Sequence, residues 1–246
     1  MSDQQLLDLQ NAEALLRDRD FRRYLKLKRL LDATAPASRE AFRRLFKSFY
    51  GLNARANLSQ DFEDRYFDIL FAGGRQVVFG DVVRALAPIP TRTGGKSLQF
   101  SFASKLIGIH RENSPIYDRH VQTFFGVKTP ASHLPDETRI AAVEEFLELV
   151  ARQYIAWARR PEMRAILNRV AQRDPELARC HDVRLLDLLV WRAGNAKEKL
   201  RAAAKAATSG KPRRRTARAI SGSTPAADAV PVAHPAAADP ARRQDP

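Results

Sequence analysis

The sequence predicts a mostly α-helical fold closed by a disordered C-terminal tail. Apolar residues recur at three- and four-residue spacing through the first 208 positions, the period of helices that bury one face. Alternating apolar and polar runs of the kind that mark strands are few. From Ser209 onward the chain is Ser, Gly, Pro, Ala and Arg without apolar period, with six prolines among 38 residues, a composition that cannot bury enough surface to order itself. The expected organisation is one helical domain over residues 1–208 and a basic, Pro/Ala-rich tail over residues 209–246. No internal repeat is visible.

The elements follow in order. Ser2 with Gln5 has the capping-box pattern and opens a long helix carrying Leu6, Leu9, Leu16, Tyr24, Leu27 and Leu31 on its buried side. Ala35 and Pro36 end it. Ser38 is placed to cap a second helix through Phe42, Leu45, Phe46 and Phe49, and Ser59 a third through Phe62, Tyr66, Ile69 and Leu70. The stretch from Val77 to Leu86 is read as a short helix with Gly73, Gly74 and Gly80 as punctuation. A Pro/Thr/Gly loop over Ala87–Gly95 follows, then a helix over Ser97–His110, a break over Arg111–Pro115 and a further helix over Ile116–Phe125. After a loop over Val127–Pro135 come a long helix Asp136–Arg159, one starting at Pro161, and a last one over Val183–Ala206. Pro161 and Pro175 suit first-turn positions.

Charge narrows the partners. The 246 residues hold 42 Lys and Arg against 28 Asp and Glu, a net +14, which favours a polyanion because each phosphate neutralised releases a condensed counterion. The tail carries seven Lys/Arg and three Asp; Arg213–Arg215 there reads equally as a solvated linker or a nonspecific DNA-gripping arm. No run of about 18 apolar residues could span a membrane, and Met1–Gln10 does not read as a signal peptide, so the expected location is the cytoplasm. The tail also lacks an amphipathic helix to insert into a lipid surface. Cys180, the single cysteine, excludes disulfide frameworks and four-cysteine metal sites within one chain. Neither a metal nor another cofactor is expected.

The chemistry concentrates in Thr93–Gly126. Gly94-Gly95-Lys96 lies in a loop, Ser101-Phe102-Ala103-Ser104-Lys105-Leu106 on a helix, and Pro115-Ile116-Tyr117-Asp118-Arg119-His120-Val121 before the next helix. This order of Gly-containing hairpin, helix and Asp-x-His-Val resembles the helix-hairpin-helix superfamily of DNA glycosylases, whose Asp at that place is catalytic. Weaker similarity to small bacterial members extends to Phe49-Tyr50, Tyr66-Phe67 and Asp187–Gly194. The resemblance implies a two-lobed helical fold, double-stranded DNA as partner, a monomer, and excision of a damaged or modified base at an N-glycosidic bond with Asp118 as catalytic carboxylate. It also implies phosphate contacts from Gly94, Gly95, Lys96 and Arg119. By closeness in sequence to Asp118, Tyr117, His120 and the loop Ala87–Thr93 are the candidate walls of a base pocket. Lys105 is the second catalytic candidate. The chain departs from the family in three places: the hairpin reads Gly94-Gly95-Lys96-Ser97 where Gly-hydrophobic-Gly is usual, the four-cysteine cluster loop of some members is missing, as Cys180 alone shows, and neither Lys96 nor Lys105 stands at the usual separation from Asp118. Lyase activity is therefore open, as is the choice between repair and defence against phage DNA carrying modified bases.

An ionised carboxylate is what such a reaction asks for, because base loss builds oxocarbenium charge on the sugar. An ordinary Asp ionises near pH 3.9, and a helix N-terminus favours the anion further. The plainer reading of Asp118 is an N-cap, of Tyr117 a core residue, of His120 a packing residue and of Lys105 a solvated lysine. Two rival functions stand beside catalysis. One is a helix-hairpin-helix module that only binds DNA. The other is an NTPase, since Thr93–Ser97 ends like a phosphate-binding loop, but Pro90 stands where that loop needs Gly.

Overall fold

A computed structural model describes residues 1–33, 35–52 and 58–208; the predicted tail lies outside the described residues. Ten α-helices and no strand occur among the described residues: α1 (Asp3–Leu15), α2 (Asp18–Asp32), α3 (Pro36–Tyr50), α4 (Gln60–Gly73), α5 (Phe79–Leu86), α6 (Phe100–His110), α7 (Arg119–Phe125), α8 (Asp136–Ala158), α9 (Pro161–Ala171) and α10 (Asp182–Thr208). None is long and apolar enough to cross a membrane.

The helix starts show which local signals governed. At α1 the Gln5 amide donates to Ser2 Oγ (3.2 Å) and the Ser2 amide to Gln5 Oε1 (2.9 Å), completing the capping box. The single long helix expected up to Leu31 is two. Leu16 is extended (φ −67°, ψ 134°) and α2 begins at Asp18. The carbonyls released there are not left bare, because the Arg173 guanidinium donates to Leu16 O and Glu13 O (3.0 Å each) and Arg192 to Leu15 O (2.7 Å). At α3, Pro36 occupies the first turn and Ala35 the cap position, so Ser38 lies inside the helix instead of capping it. Ser59 does cap α4, accepting from the Phe62 amide at 3.2 Å.

Residues 97–99 and 116–118, expected to be helical, are not; α6 begins only at Phe100 and α7 only at Arg119. Asp118 explains the second, since a carboxylate that caps a helix holds its own backbone extended (φ −137°, ψ 151°). Pro161 stands in the first turn of α9, whereas Pro175 only precedes a 3-10 turn at Leu177–Arg179.

α6 is buried on every side, with Phe100 and Ala103–Ile109 all inside, which makes it the central helix. Around it run two aromatic groups in one continuous core: Phe42, Phe46, Tyr66, Phe67 and Phe71 from α3 and α4, and Phe124, Phe125, Phe146, Tyr154 and Trp157 from α7 and α8. α10 packs against α1, α7, α8 and α9. Its approach to α7 depends on one missing side chain: a Cβ at Gly194 would lie 1.9 Å from the His120 carbonyl oxygen.

Candidate functional site

The long helices enclose a cleft of about 370 Å³, within the range of small-ligand sites. Its walls come from α2 (Asp20, Arg23), the end of α3 (Ser48 to Gly51) and α10 (Leu188, Trp191); Lys105, Asp118 and His120 also line it. Central α6 carries Lys105 inward, with 8% of its side chain exposed, and the N-terminus of α7 carries Asp118, with 16% exposed.

The two are an ion pair at 3.4 Å between Lys105 Nζ and Asp118 Oδ2. The other carboxylate oxygen, Oδ1, accepts from the His120 amide at 2.9 Å, fixing the Asp118 rotamer as the cap of α7. Lys105 Nζ also donates to Ser101 Oγ (2.9 Å) and to the Tyr50 carbonyl (3.3 Å), and it lies 5.4 Å from the centre of the Phe102 ring. Burial pushes the Lys105 amine below the ordinary lysine value, and Asp118 offsets only part of that. Burial likewise pushes the Tyr50 hydroxyl up to about 12.

Behind this pair lies another, deeper one. Arg184 Nη1 donates to Asp187 Oδ2 at 2.8 Å, with 1% and 4% of the side chains exposed. Arg184 Nη2 donates to the carbonyls of Gly108 and Ser114, both at 2.9 Å, and the Ile116 amide donates to Asp187 Oδ1 at 3.1 Å. The loop between α6 and α7 is thus tied to α10 at Ser114 and Ile116, with α6 itself held at Gly108, and the last residue of the loop is Asp118. Burial raises the Asp187 carboxyl to about 6 against the opposing guanidinium. The four charges of the two pairs sum to zero.

His120 lies across the cleft from α2, edge-on to Trp191 (5.4 Å between ring centres), with Nε2 3.1 Å from Asn195 Nδ2 and Nδ1 3.3 Å from Glu198 Oε1. Arg119 is 77% exposed and pairs with Glu198 at 2.9 Å. Tyr117 is turned away. Its ring packs edge-on between Phe100 and Phe146, 5.9 and 5.8 Å away, and its backbone is held by Ser104 Oγ. It is a core residue, so the aromatic walls of the cleft are instead Tyr24, Phe49, Tyr50 and Trp191. The loop Ala87–Thr93, expected to contribute walls, contributes none. Gly94 and Gly95 form a tight turn outside the cleft, in which the Thr91 amide donates to Gly95 O (2.7 Å) and the Gly94 amide to Thr91 O (2.9 Å), with Gly94 at φ +84°. Lys96 is exposed beside it. The phosphate-loop pattern at Thr93–Ser97 meets neither a preceding strand nor a helix that starts directly after it.

Asp20 and Arg23 carried no signal in the sequence, because each looks like an ordinary charged residue on an amphipathic helix. For Arg184 one pattern was there to be read: Arg and Asp three apart, within a run of Val183, Leu185, Leu186, Leu188 and Leu189, on a helix too apolar for both charges to reach water. No group of three or more His, Cys, Asp or Glu is placed to hold a metal ion among the described residues. No protein-family profile, curated protein or solved structure matches the chain.

Proposed function

We propose that the protein is a DNA glycosylase that takes a flipped nucleotide into the cleft and cleaves its N-glycosidic bond. The observation that carries this reading is the Lys105–Asp118 pair at 3.4 Å, both side chains mostly buried yet lining one cleft. A desolvated lysine is an expensive strut for a surface that only grips phosphates, and perturbed groups gathered in a cleft are a mark of chemistry. The net +14 supports a nucleic-acid partner, and the helix–tight turn–helix order of α5, Gly94–Gly95 and α6 suits the two-lobed helix-hairpin-helix arrangement, with Gly94, Gly95, Lys96 and Arg119 as phosphate contacts. The described residues would act as a monomer on double-stranded DNA.

In this mechanism Asp118 stands as the anion beside C1′ as the bond to the base lengthens, and the electron pair of that bond leaves with the base. Two nucleophiles are available to the sugar. Water, giving up its proton to Asp118, yields an abasic site. Lys105 Nζ, if neutral, attacks C1′, passes a proton to Asp118, and the resulting aminal opens to a Schiff base. The lowered Lys105 value favours the second route.

Asp118→Asn keeps the helix cap, because Asn caps helices as well as Asp does, and removes the charge that pairs with Lys105. Against a panel of DNAs that includes heavily modified viral genomes, wild type is expected to produce alkali-labile sites. Asp118→Asn should retain DNA affinity and lose at least a hundredfold in rate. Borohydride should trap wild type on DNA, with a yield that rises as pH passes the lowered Lys105 value and with none from Lys105→Gln. The sign for stability is the same: the cost of burying the ammonium is fully present below the folded value and is relieved as pH climbs towards the unfolded one. The second reading, a non-catalytic DNA-binding module, is favoured by the three acceptors around Lys105 Nζ, which would suit a static tie between α3, α6 and α7. Binding without base release on every DNA would establish it.

A further inference from the structure

Towards the C-terminal ends of α2 and α6 lies a second groove, of about 470 Å³, that the glycosylase reading does not use. Four cationic side chains line it: Lys28 from α2, Arg75 from the 3-10 turn after α4, Arg111 from the end of α6 and Arg179 from the turn before α10. Opposite them stands a single carboxylate, Glu112. It is already saturated, accepting from the Tyr24 hydroxyl (3.2 Å) and the His181 amide (2.9 Å) and pairing with Lys28 (3.4 Å). The nearby acids are occupied too, Glu176 with Arg29 and Asp182 with Arg164.

Arg111 donates to the Val77 carbonyl at 2.8 Å, and neither Arg75 nor Arg179 has a carboxylate within ion-pairing distance among the described residues. The His110 imidazole on the wall registers the field: burial first, then Lys28, Arg111 and Arg75, hold it below the ordinary histidine value, although the Leu70 carbonyl pulls the other way.

We infer that this groove between Lys28, Arg75, Arg111 and Arg179 binds a phosphate group. Three positive charges in excess, two of them guanidinium forks without an ion-pair partner among the described residues, match the charge and hydrogen-bonding capacity of a phosphoryl oxygen cluster. The phosphate can be free or part of a nucleic-acid backbone, and because the groove shares no lining residue with the Asp118 cleft the inference is independent of the glycosylase reading.

The test uses the full chain at low ionic strength, titrated calorimetrically with inorganic pyrophosphate. Arg75→Ala/Arg179→Ala removes two exposed side chains with no ion pair to lose, so its unliganded Tm should match wild type. Arg22→Ala/Lys26→Ala, on the exposed side of α2 and outside the groove, removes the same charge. Pyrophosphate binding at least tenfold weaker in the first variant, with the second near wild type, is the expected result. Equal weakening in both, or no binding by wild type, overturns it. Duplex DNA separates the sources: a backbone phosphate would lower the slope of log affinity against log salt by about 2 in the first variant only, whereas a free phosphate would leave that slope unchanged. Base release at saturating DNA, unaffected in either case, keeps the outcome separate from that of the Asp118→Asn assay.

Discussion

The Arg184–Asp187 pair is the residue-scale feature with the largest expected effect. Removing one member strands a buried charge, which costs on the order of 3–5 kcal/mol, whereas replacing both with apolar residues of similar volume is far milder. Arg184→Met is therefore expected to lose several kcal/mol in urea unfolding, and Arg184→Met/Asp187→Leu to recover much of it. Base release should not recover in the double variant, since Gly108 O, Ser114 O and the Ile116 amide would still lack the ties that present Asp118. Full recovery of activity with stability would show the pair to be structural only. Asp118 itself was legible in the sequence because its neighbours form a local pattern, and Lys105 was legible as a candidate through the same stretch. Tyr117 shows the limit of proximity: a side chain adjacent to Asp118 in an extended segment points to the opposite side, into the core. What surrounds Asp118 comes from α2, α3 and α10, roughly 70 residues or more distant in sequence, and no local spacing encodes that.

At the scale of elements, most helices could be read from their period, and their starts from Ser2, Ser59 and Pro161. The division of α1 from α2 could not, because the arginines that take up the freed carbonyls stand more than 150 positions downstream. The register of α7 against α10 is set by Gly194. With a Cβ there 1.9 Å from a backbone oxygen, one of the two helices must shift. Gly194→Ala is expected to cost about 1–3 kcal/mol as overpacking, and, because the displaced residue is His120, whose amide holds Asp118 Oδ1, to lower base release beyond what the loss of Tm explains. An unchanged rate at a temperature where the variant stays folded would uncouple that helix contact from the site.

For the whole molecule, the notable ties join the first helix to the last two. Arg169 pairs with Glu13 (2.7 Å), Lys197 with Asp8 (2.6 Å), and Arg173 and Arg192 hold the end of α1. Contacts this distant in sequence form late, since closing so long a loop is entropically costly before it is rewarded. Arg173→Ala should accordingly speed unfolding several-fold in stopped-flow experiments and leave the refolding rate nearly unchanged; an equal slowing of refolding would place that contact in the nucleus. The same arrangement sets a timetable during synthesis. α1 is made about 150 residues ahead of α9, and at ~5–20 residues per second it waits roughly ten to thirty seconds for the surface that covers Leu9 and Ala12. Through that interval the newborn segment has its own capping box at Ser2 and little else to keep it in shape, a window for whatever in the cell greets unfinished chains.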